Sequence, residues 1–211
     1  MSSTEINDPD PIHLFRKWYL EAVNSDISDP TIMSLATVGK EGRPSARIVL
    51  LKDFNEAGFV FYTNYRSRKS IQLDANPWAA LVIHWHRLGH QVRIEGRVEK
   101  LAEEESDRYF ESRPRGSKLG AWASEQSQPI HSRESLDDAL LNVEEEFRDM
   151  EVPRPPHWGG YRLIPDRIEF WTNRDDRMHD RILYELKPAA GSSGTETEND
   201  ENSWTSTRLA P

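Results

Sequence analysis

The sequence predicts a mainly β protein, an antiparallel barrel flanked by helices. Three observations support this fold class. Strand-like segments outnumber helical ones, they follow one another across short turns, and the helices are inserted singly between them. The chain has 211 residues, which fits one large domain. Seven Trp, six Tyr and seven Phe provide large side chains for a core, so disorder over most of the length is not expected.

Helical periodicity identifies the first segment and one later segment. Apolar residues from Ile12 to Val23 recur at helical spacing and predict a helix near residues 11–24. A leucine-rich stripe predicts a long amphipathic helix over residues 133–150, with Ser132 as its N-cap. Shorter helices are predicted over residues 67–75, 103–112 and 117–124.

Strands are predicted from alternation and from β-branched and aromatic residues. Residues 31–38 alternate between two faces, and the Gly39–Gly42 segment that follows is typical of a hairpin turn. The same patterns predict strands over residues 47–52, 58–63, 78–85, 91–101, 161–171, 178–186 and 204–209. The strands on either side of Asn173–Asp176 are expected to pair as a hairpin.

Two polar segments lie outside these elements. Residues 1–10 are expected to form a flexible N-terminus. Residues 188–202 are rich in Gly, Ser and acidic residues, which predicts a mobile acidic loop. The rest of 11–211 is expected to form a single domain.

Composition narrows the classes of function. Acidic residues outnumber Lys and Arg by 36 to 27, giving a net charge of −9, so no nucleic-acid partner is expected. A local cationic pocket for a small phosphorylated ligand remains compatible with that charge. The absence of cysteine excludes disulfides and thiolate nucleophiles. No apolar run is long enough to span a membrane and the N-terminus is acidic, so a cytoplasmic protein without a membrane partner is expected.

The common catalytic motifs are missing. The sequence has no glycine-rich dinucleotide loop after a strand, no Walker loop and no Gly-x-Ser-x-Gly elbow. His84 and His86 are predicted to share one strand face, but no carboxylate lies close to them in sequence. We therefore expect rim histidines and no metal site.

Cationic residues gather in four places. Arg47 and Lys52 stand at the two ends of an apolar strand and are expected on opposite faces. The segment from Tyr62 to Lys69 passes from a strand end into a helix start, where free backbone N–H groups, a hydroxyl and cations could bind a phosphate. A capped, solvated helix start is the alternative interpretation. The other two places lie further along the chain.

One of these is the segment Arg177–Arg181. On a strand, Arg177, His179 and Arg181 would project from one face, where an anion would relieve their mutual repulsion. The polar outer face of an edge strand is the alternative. The last cationic turn contains Arg113, four residues after Tyr109 and so on the same helical side, close to Ser117. Four cationic sites in an acidic protein indicate concentrated anion recognition, of more than one phosphate.

A series of stretches carries a family resemblance. They are Arg47–Lys52, Phe61–Asn64, Ser67–Lys69, Gln91–Gly96, Tyr109–Arg115, Gly120–Ser124, Gln126-Ser127, Trp158–Tyr161, Ile168–Trp171, Arg177–Arg181 and Arg208–Pro211. In this order, from about residue 8 to the end, the chain resembles the pyridoxine/pyridoxamine 5′-phosphate oxidase family. It departs from the family at His90, where Arg is usual, at Ile83-His84 and at Thr172-Asn173.

The resemblance implies an FMN-binding split β-barrel that forms a homodimer, with FMN at the subunit interface. The FMN-binding residues that it implies are Arg47, Ile48, Val49, Leu50, Leu51, Tyr62, Thr63, Arg68, Lys69, Gln91, Gln126, Ser127, Trp171 and Arg181. The substrate-binding residues that it implies are Lys52, Tyr109, Arg113, Ser117, Arg177 and His179, of which the last two would also be catalytic.

The implied activity is oxidation of pyridoxamine 5′-phosphate or pyridoxine 5′-phosphate to pyridoxal 5′-phosphate. A hydride would pass from the substrate C4′ to flavin N5, and O2 would be reduced to hydrogen peroxide. The alternative is a non-catalytic protein of the same fold that binds and delivers FMN or pyridoxal 5′-phosphate. The presence of both Arg177 and His179 favours the enzyme.

Overall fold

The computed structural model describes residues 8–187 and 204–211. Most of the expected flexible N-terminus and the whole of the expected acidic loop at 188–202 therefore lie outside the described residues. The described start of the chain is tied to the fold. Asp10 Oδ1 accepts a hydrogen bond from the Ile12 backbone N–H at 2.8 Å, which caps the first helix. The carbonyl of Asp8 accepts a bond from the Tyr184 hydroxyl at 2.7 Å.

Five helices and nine strands make up the described chain. The helices are α1 (Pro11–Val23), α2 (Arg68–Ala75), α3 (Glu103–Glu111), α4 (Arg115–Ala123) and α5 (Arg133–Glu146). The strands are β1 (Ile32–Val38), β2 (Pro44–Leu50), β3 (Asp53–Asn55), β4 (Gly58–Asn64), β5 (Trp78–Trp85), β6 (His90–Lys100), β7 (Trp158–Thr172), β8 (Asp180–Leu186) and β9 (Trp204–Leu209). No described helix is both long and apolar enough to cross a membrane.

The strands form one antiparallel sheet in the order β2-β1-β5-β6-β7-β4-β3, extended by β8 and β9. The fifteen-residue strand β7 organises it. One edge of β7 pairs with β6, while the other pairs first with β4, as in Tyr62 opposite Gly160, and then with β8, as in Trp171 opposite Arg181. This change of neighbour divides the sheet into two halves. The mainly β class with flanking helices is confirmed.

A large aromatic core fills the inside of the sheet. Phe15 of α1 is fully buried and packs edge-on against Phe59 of β4, with ring centroids 4.9 Å apart. Trp18 stacks on His90 at 3.9 Å, so α1 covers the start of β6. Burial, with a smaller effect from Arg174, lowers the pKa of His90 to about 4. His90 is therefore a neutral core residue at neutral pH.

Several predicted element ends are wrong by a few residues. The helix predicted over 133–150 ends at Glu146, because Phe147 leaves helical geometry and turns into a small cluster with Leu119 and Val152. The helix predicted from Ser117 begins two residues earlier, at Arg115. The strand β3 was not predicted, since three residues carry too little pattern. Ser132 caps α5 as expected, accepting from the Ser135 N–H at 3.2 Å.

Candidate functional site

A cleft of about 720 Å³ lies between strands β2 and β4 and helices α3 and α4. It is lined by eleven of the residues that the sequence singled out, namely Ile48, Val49, Leu50, Lys52, Tyr62, Thr63, Lys69, Tyr109, Arg113, Ser117 and Gln126. These residues come from four separated stretches of the chain. The fold therefore brings cations, hydroxyls and an amide into one concave surface.

Lys69 lies at the inner end of this cleft, in the first turn of α2. Its Nζ donates to Thr63 Oγ1 at 3.0 Å, to Gln126 Oε1 at 2.9 Å and to Ser67 Oγ at 3.2 Å. Only 8% of the residue is exposed. Burial, with a smaller effect from the charge of Arg47, lowers the pKa of Lys69 from 10.5 to about 8.

Two arginines add to the positive charge beside Lys69. Arg47 donates to Thr37 Oγ1 and Ser45 Oγ, both at 2.6 Å, and to the Leu35 carbonyl at 3.1 Å. Burial and, less strongly, the charge of Arg68 lower the pKa of Arg47. Among the described residues, no carboxylate forms an ion pair with Arg47, Arg68 or Lys69. Such an unneutralised cluster at a helix start suits a dianion.

Other predicted residues lie near the cleft without lining it. Arg68 and Ser127 line an adjacent cavity of about 680 Å³. Leu51 is buried beneath β2, and its N–H donates to the Thr31 carbonyl at 2.9 Å. The strand predicted over residues 47–52 ends at Leu50, so Lys52 lies beyond it and strand alternation does not set the faces of Arg47 and Lys52; of the two, Lys52 lines the cleft. Lys52 follows the end of β2 and bonds through its N–H to the Val60 carbonyl.

Arg113 is a further cation that lines the cleft. It was predicted to share a helical side with Tyr109, but α3 ends at Glu111 and Arg113 lies in the turn before α4. Both side chains still line the cleft. Arg113 Nη1 is buried and has no hydrogen-bond partner. A buried, unpartnered guanidinium nitrogen beside a cleft indicates a missing anionic ligand.

A second group of predicted residues lies elsewhere, at the far end of β7. Gln91 pairs with Trp171, and Trp171 pairs with Arg181 across the neighbouring strands. The ring of His179 lies 4.6 Å from that of Trp171. Trp171 is eleven residues along β7 from Gly160, the partner of Tyr62 in the cleft, which corresponds to roughly 35 Å of extended strand. None of these residues lines the cleft, so the two groups are separate within one chain.

The prediction that Arg177, His179 and Arg181 share one strand face is wrong. β8 begins only at Asp180, and Arg177 ends a short 3₁₀ turn over Asp175–Arg177. Asp176 and Arg177 both adopt left-handed backbone angles, with φ of 54° and 60°. The sharp connection from β7 to β8 requires such angles although the segment has no glycine.

Hydrogen bonds fix the side chains around this turn. His179 Nδ1 accepts a bond from the Arg174 backbone N–H at 3.2 Å, so the proton of the neutral ring is on Nε2. Arg181 binds buried Glu169 in a bidentate pair, with Nε–Oε1 at 2.8 Å and Nη2–Oε2 at 3.2 Å. Arg181 is thus held in place by a carboxylate, unlike the cations of the cleft.

The structure also places residues that are not among the predicted site residues. Trp158 lines the cleft at the start of β7 and stacks near Tyr62 and Tyr109. The Trp-Gly-Gly-Tyr sequence beginning at Trp158 was the available signal. His86 does not share a strand face with His84 as predicted, because β5 ends at Trp85 and His86 starts a 3₁₀ turn.

Comparison with known proteins gives consistent results along the chain. The pyridoxamine 5′-phosphate oxidase family model matches residues 19–146, and the model of the pyridoxine 5′-phosphate oxidase C-terminal dimerisation region matches residues 158–211. A pyridoxine/pyridoxamine 5′-phosphate oxidase from Cyanothece sp. is 55% identical over 89% of this chain and 87% of its own length. One from Burkholderia cenocepacia is 55% identical over 96% of this chain and 90% of its own length.

Solved structures show the same fold. PhzG from Burkholderia lata, in complex with tetrahydrophenazine-1-carboxylic acid, superposes with a TM-score of 0.87 at 30% identity, covering 100% of this chain and 98% of that one. A pyridoxamine 5′-phosphate oxidase-related, FMN binding protein from Nostoc punctiforme has a TM-score of 0.70 at 19% identity, covering 96% of this chain and 98% of that one. The fold is thus the split β-barrel of these FMN-binding proteins. By its sequence, its fold and its C-terminal dimerisation region, the chain belongs to the pyridoxamine 5′-phosphate oxidase family.

Proposed function

We propose that the protein is an FMN-dependent oxidase that converts pyridoxamine 5′-phosphate or pyridoxine 5′-phosphate to pyridoxal 5′-phosphate. The C4′ carbon gives up a hydride, which is one proton with two electrons, and its hydroxyl or amino group gives up a proton. O2 gains the two protons and two electrons and becomes hydrogen peroxide. From the alcohol, the aldehyde forms directly. From the amine, an imine forms, and water hydrolyses it to the aldehyde and ammonia.

The observation that carries this proposal is the arrangement of cations in the cleft. Lys69 forms a hydrogen-bonded group with Thr63 and Gln126, and Lys52, Arg113 and Ser117, which are not part of that group, line the same cleft. Two separate anion subsites suit two phosphate groups, one on the cofactor and one on the substrate. The names of the relatives at 55% identity support the same substrates.

The residues present fit FMN. Lys69, Arg47 and Arg68 form an unneutralised cluster for its phosphate, while residues 48–50 and Gln126 offer backbone and amide groups for the ring edge. Bound FMN would supply the hydride acceptor and the reaction with O2. Gln91, Trp171 and Arg181 would contact it from a second protomer. Trp171 and Arg181 lie in the matched dimerisation region, which supports a homodimer with shared sites.

Substrate binding would divide between the same two groups of residues. Lys52, Tyr109, Arg113 and Ser117 would bind the substrate phosphate. Arg177 and His179, from the second protomer, would face the pyridine ring and C4′. Because its Nδ1 accepts the Arg174 N–H, His179 would donate from Nε2 and act as a hydrogen-bond donor to the substrate. Arg177 would orient the ring and stabilise negative charge on it.

A second candidate function is oxidation of a tricyclic carboxylic acid. The structural match to PhzG in complex with tetrahydrophenazine-1-carboxylic acid favours it. Such a compound has a carboxylate and no phosphate. The cations and hydroxyls suited to a phosphate favour the phosphorylated substrate instead; these are Lys52, Tyr109, Arg113 and Ser117.

An oxygen-electrode assay on FMN-loaded protein tests the proposal. We expect O2 consumption with pyridoxamine 5′-phosphate or pyridoxine 5′-phosphate, matched by equal amounts of peroxide and pyridoxal 5′-phosphate. Oxidation of tetrahydrophenazine-1-carboxylic acid alone would assign the second function. Tight binding of FMN or pyridoxal 5′-phosphate without peroxide would identify a carrier and overturn the enzyme assignment.

A further inference from the structure

We propose that Trp158 is a positioning residue for the substrate phosphate, because its indole ring holds the Arg113 guanidinium in the cleft. This inference rests on the proposed function, since it assigns the ligand of Arg113 as a phosphate ester. Trp158 would touch the cation and would act on substrate only through it.

The geometry is a cluster of three nearly parallel rings, with the cation against one of them. The rings of Tyr62 and Tyr109 stack with centroids 3.9 Å apart, and the ring of Trp158 lies 5.4 Å from Tyr62 and 6.1 Å from Tyr109, within 10° of parallel to both. The Arg113 Cζ lies 4.5 Å from the Trp158 centroid and 5.4 Å from that of Phe110. Both distances are within the range of cation–π attraction, and indole is the strongest such partner among the side chains.

Among the described residues, no carboxylate is paired with the Arg113 guanidinium. In the described part of the chain, the Arg113 side chain forms no ion pair, and its buried Nη1 has no hydrogen-bond partner. By contrast, Arg181 is held by the carboxylate of Glu169. A carboxylate would compete with a phosphate for the same guanidinium donors and would repel the ligand. A ring face holds the cation from the side and leaves its in-plane N–H groups available.

The indole itself is firmly seated. The Trp158 backbone N–H donates to the Pro155 carbonyl at 3.0 Å, and its own carbonyl accepts from Arg154 Nη1 at 2.7 Å. Arg154 is in turn paired with Asp107 of α3 at 2.6 Å. Gly160 lets Tyr62 pack closely, since a Cβ there would lie 2.8 Å from Tyr62 Cε1. The support is therefore preorganised before substrate arrives.

A functional consequence separates this role from a general structural one. Loss of the indole should weaken binding of ligands that carry a phosphate ester and spare ligands that lack it. Trp158→Leu should raise the KM for pyridoxamine 5′-phosphate about tenfold with little change in kcat, whereas Trp158→Phe should raise it only about twofold. Turnover of unphosphorylated pyridoxamine at saturating concentration and the affinity for FMN should both stay as in the wild type.

A double-mutant cycle tests the link to Arg113. We would measure pyridoxal 5′-phosphate binding by titration, and steady-state kinetics, for Trp158→Leu, Arg113→Ala and the double variant. If Trp158 acts through Arg113, the Leu substitution should have almost no further effect once Arg113 is absent. Additive losses, or an equal loss with unphosphorylated pyridoxamine, would overturn the proposal. The exposed Trp78, likewise the first residue of a strand, provides the matched control Trp78→Leu.

The titration with pyridoxal 5′-phosphate distinguishes a failure of the oxidase proposal from a failure of the proposal for Trp158. A wild type that binds pyridoxal 5′-phosphate but produces no peroxide would contradict the oxidase assignment and leave the cycle measurable. If Trp158→Leu fails to fold by thermal unfolding, the milder Trp158→Phe and Trp158→His variants provide the same cycle with Arg113→Ala. In that series the affinity for pyridoxal 5′-phosphate should fall as the ring becomes a weaker cation–π partner. Equal affinities across the variants would contradict the proposed role of Trp158.

Discussion

At the scale of single residues, Lys69 combines two features that conflict in the absence of a ligand. Its ammonium group is almost fully buried, and its neighbours in the cleft are neutral oxygens and a cation, Arg47. Burial and like charge both disfavour the protonated form, so the pKa drops to about 8. A bound phosphate would reverse this effect because it favours the charged form.

The affinity for FMN should therefore depend on pH in one direction. Below about pH 8 the free protein carries Lys69 charged, and the affinity should be nearly constant. Above it, the free protein loses that proton, so the affinity should fall, by up to about tenfold per pH unit. Fluorescence titration of FMN against the apoprotein between pH 6.5 and 10 measures this.

Lys69→Arg is the matched control for this prediction. A guanidinium remains charged throughout the range, so the fall in affinity above pH 8 should disappear. An unchanged fall in that variant would assign the titration to another group and contradict the role of Lys69.

The sequence predicts most of the cleft because its ligands are encoded locally. Tyr62, Thr63 and Lys69 sit at a strand end and helix start, where charge and hydroxyls are readable from spacing. Trp158 is not among the predicted site residues, because its role depends on a cation, Arg113, that is forty-five residues away in sequence. Arg177 was placed on a strand because no glycine signals the left-handed turn that it occupies.

At the scale of elements, the bend of the sheet depends on a close approach between β6 and β7. The pairing register shifts between Glu95 and Gly96. A Cβ on Gly96 would lie 2.0 Å from the Ile164 carbonyl oxygen, so the two backbones leave no room for a side chain. The glycine allows β7 to leave β4 and continue alongside β8.

Gly96→Ala should therefore destabilise the protein by about 3 kcal/mol, since the obstacle is backbone and must move. Thermal unfolding of the flavin-free protein at one fixed concentration measures it. Gly116 in α4 has open space around it, so Gly116→Ala should be neutral or stabilise by about 0.5 kcal/mol. Equal effects of the two substitutions would show that close approach is not what Gly96 provides.

The bounds of a helix or strand are predictable from the sequence where the burial of side chains repeats regularly along it. β5 spans Trp78–Trp85 as predicted, because its alternate residues are buried in the core. The ends of α5 and β8 were misjudged, since they depend on tertiary contacts. Phe147 turns towards Leu119 and Val152, and the chain before Asp180 is held by Arg174, whose Nε donates to that carboxylate at 2.7 Å.

At the scale of the whole molecule, the proposed site residues fall into two groups that a single chain keeps apart. Lys69 and Arg113 line the cleft, whereas Arg177 and His179 lie past the far end of β7, roughly 35 Å of strand away. The distant group falls in the region matched to family dimerisation. In a two-fold dimer, each such group can complete the cleft of the other protomer.

Subunit complementation tests this division. Lys69→Ala and Arg177→Ala should each be nearly inactive alone, and Arg177 is exposed, so its loss should not disturb the fold. When the two variants are co-expressed in equal amounts, about half of the dimers should be heterodimers. Each heterodimer should have one intact site of its two, so the mixture should recover about a quarter of wild-type activity. Two sites built within single chains would recover nothing, because every chain would then carry a defect.

A mixture of wild type with a chain that carries both substitutions tests the same division, and here shared sites should lower the activity. Wild type co-expressed with the double variant Lys69→Ala/Arg177→Ala should form heterodimers in which both sites are damaged, since each cleft combines one mutated group with one intact group. Activity should then fall to about a quarter of the wild-type value, carried by wild-type homodimers alone, whereas sites within single chains would leave about half. Tagging the two chains differently and purifying the heterodimer separates the two outcomes directly, because a shared-site heterodimer of this kind is inactive and an unshared one is half active.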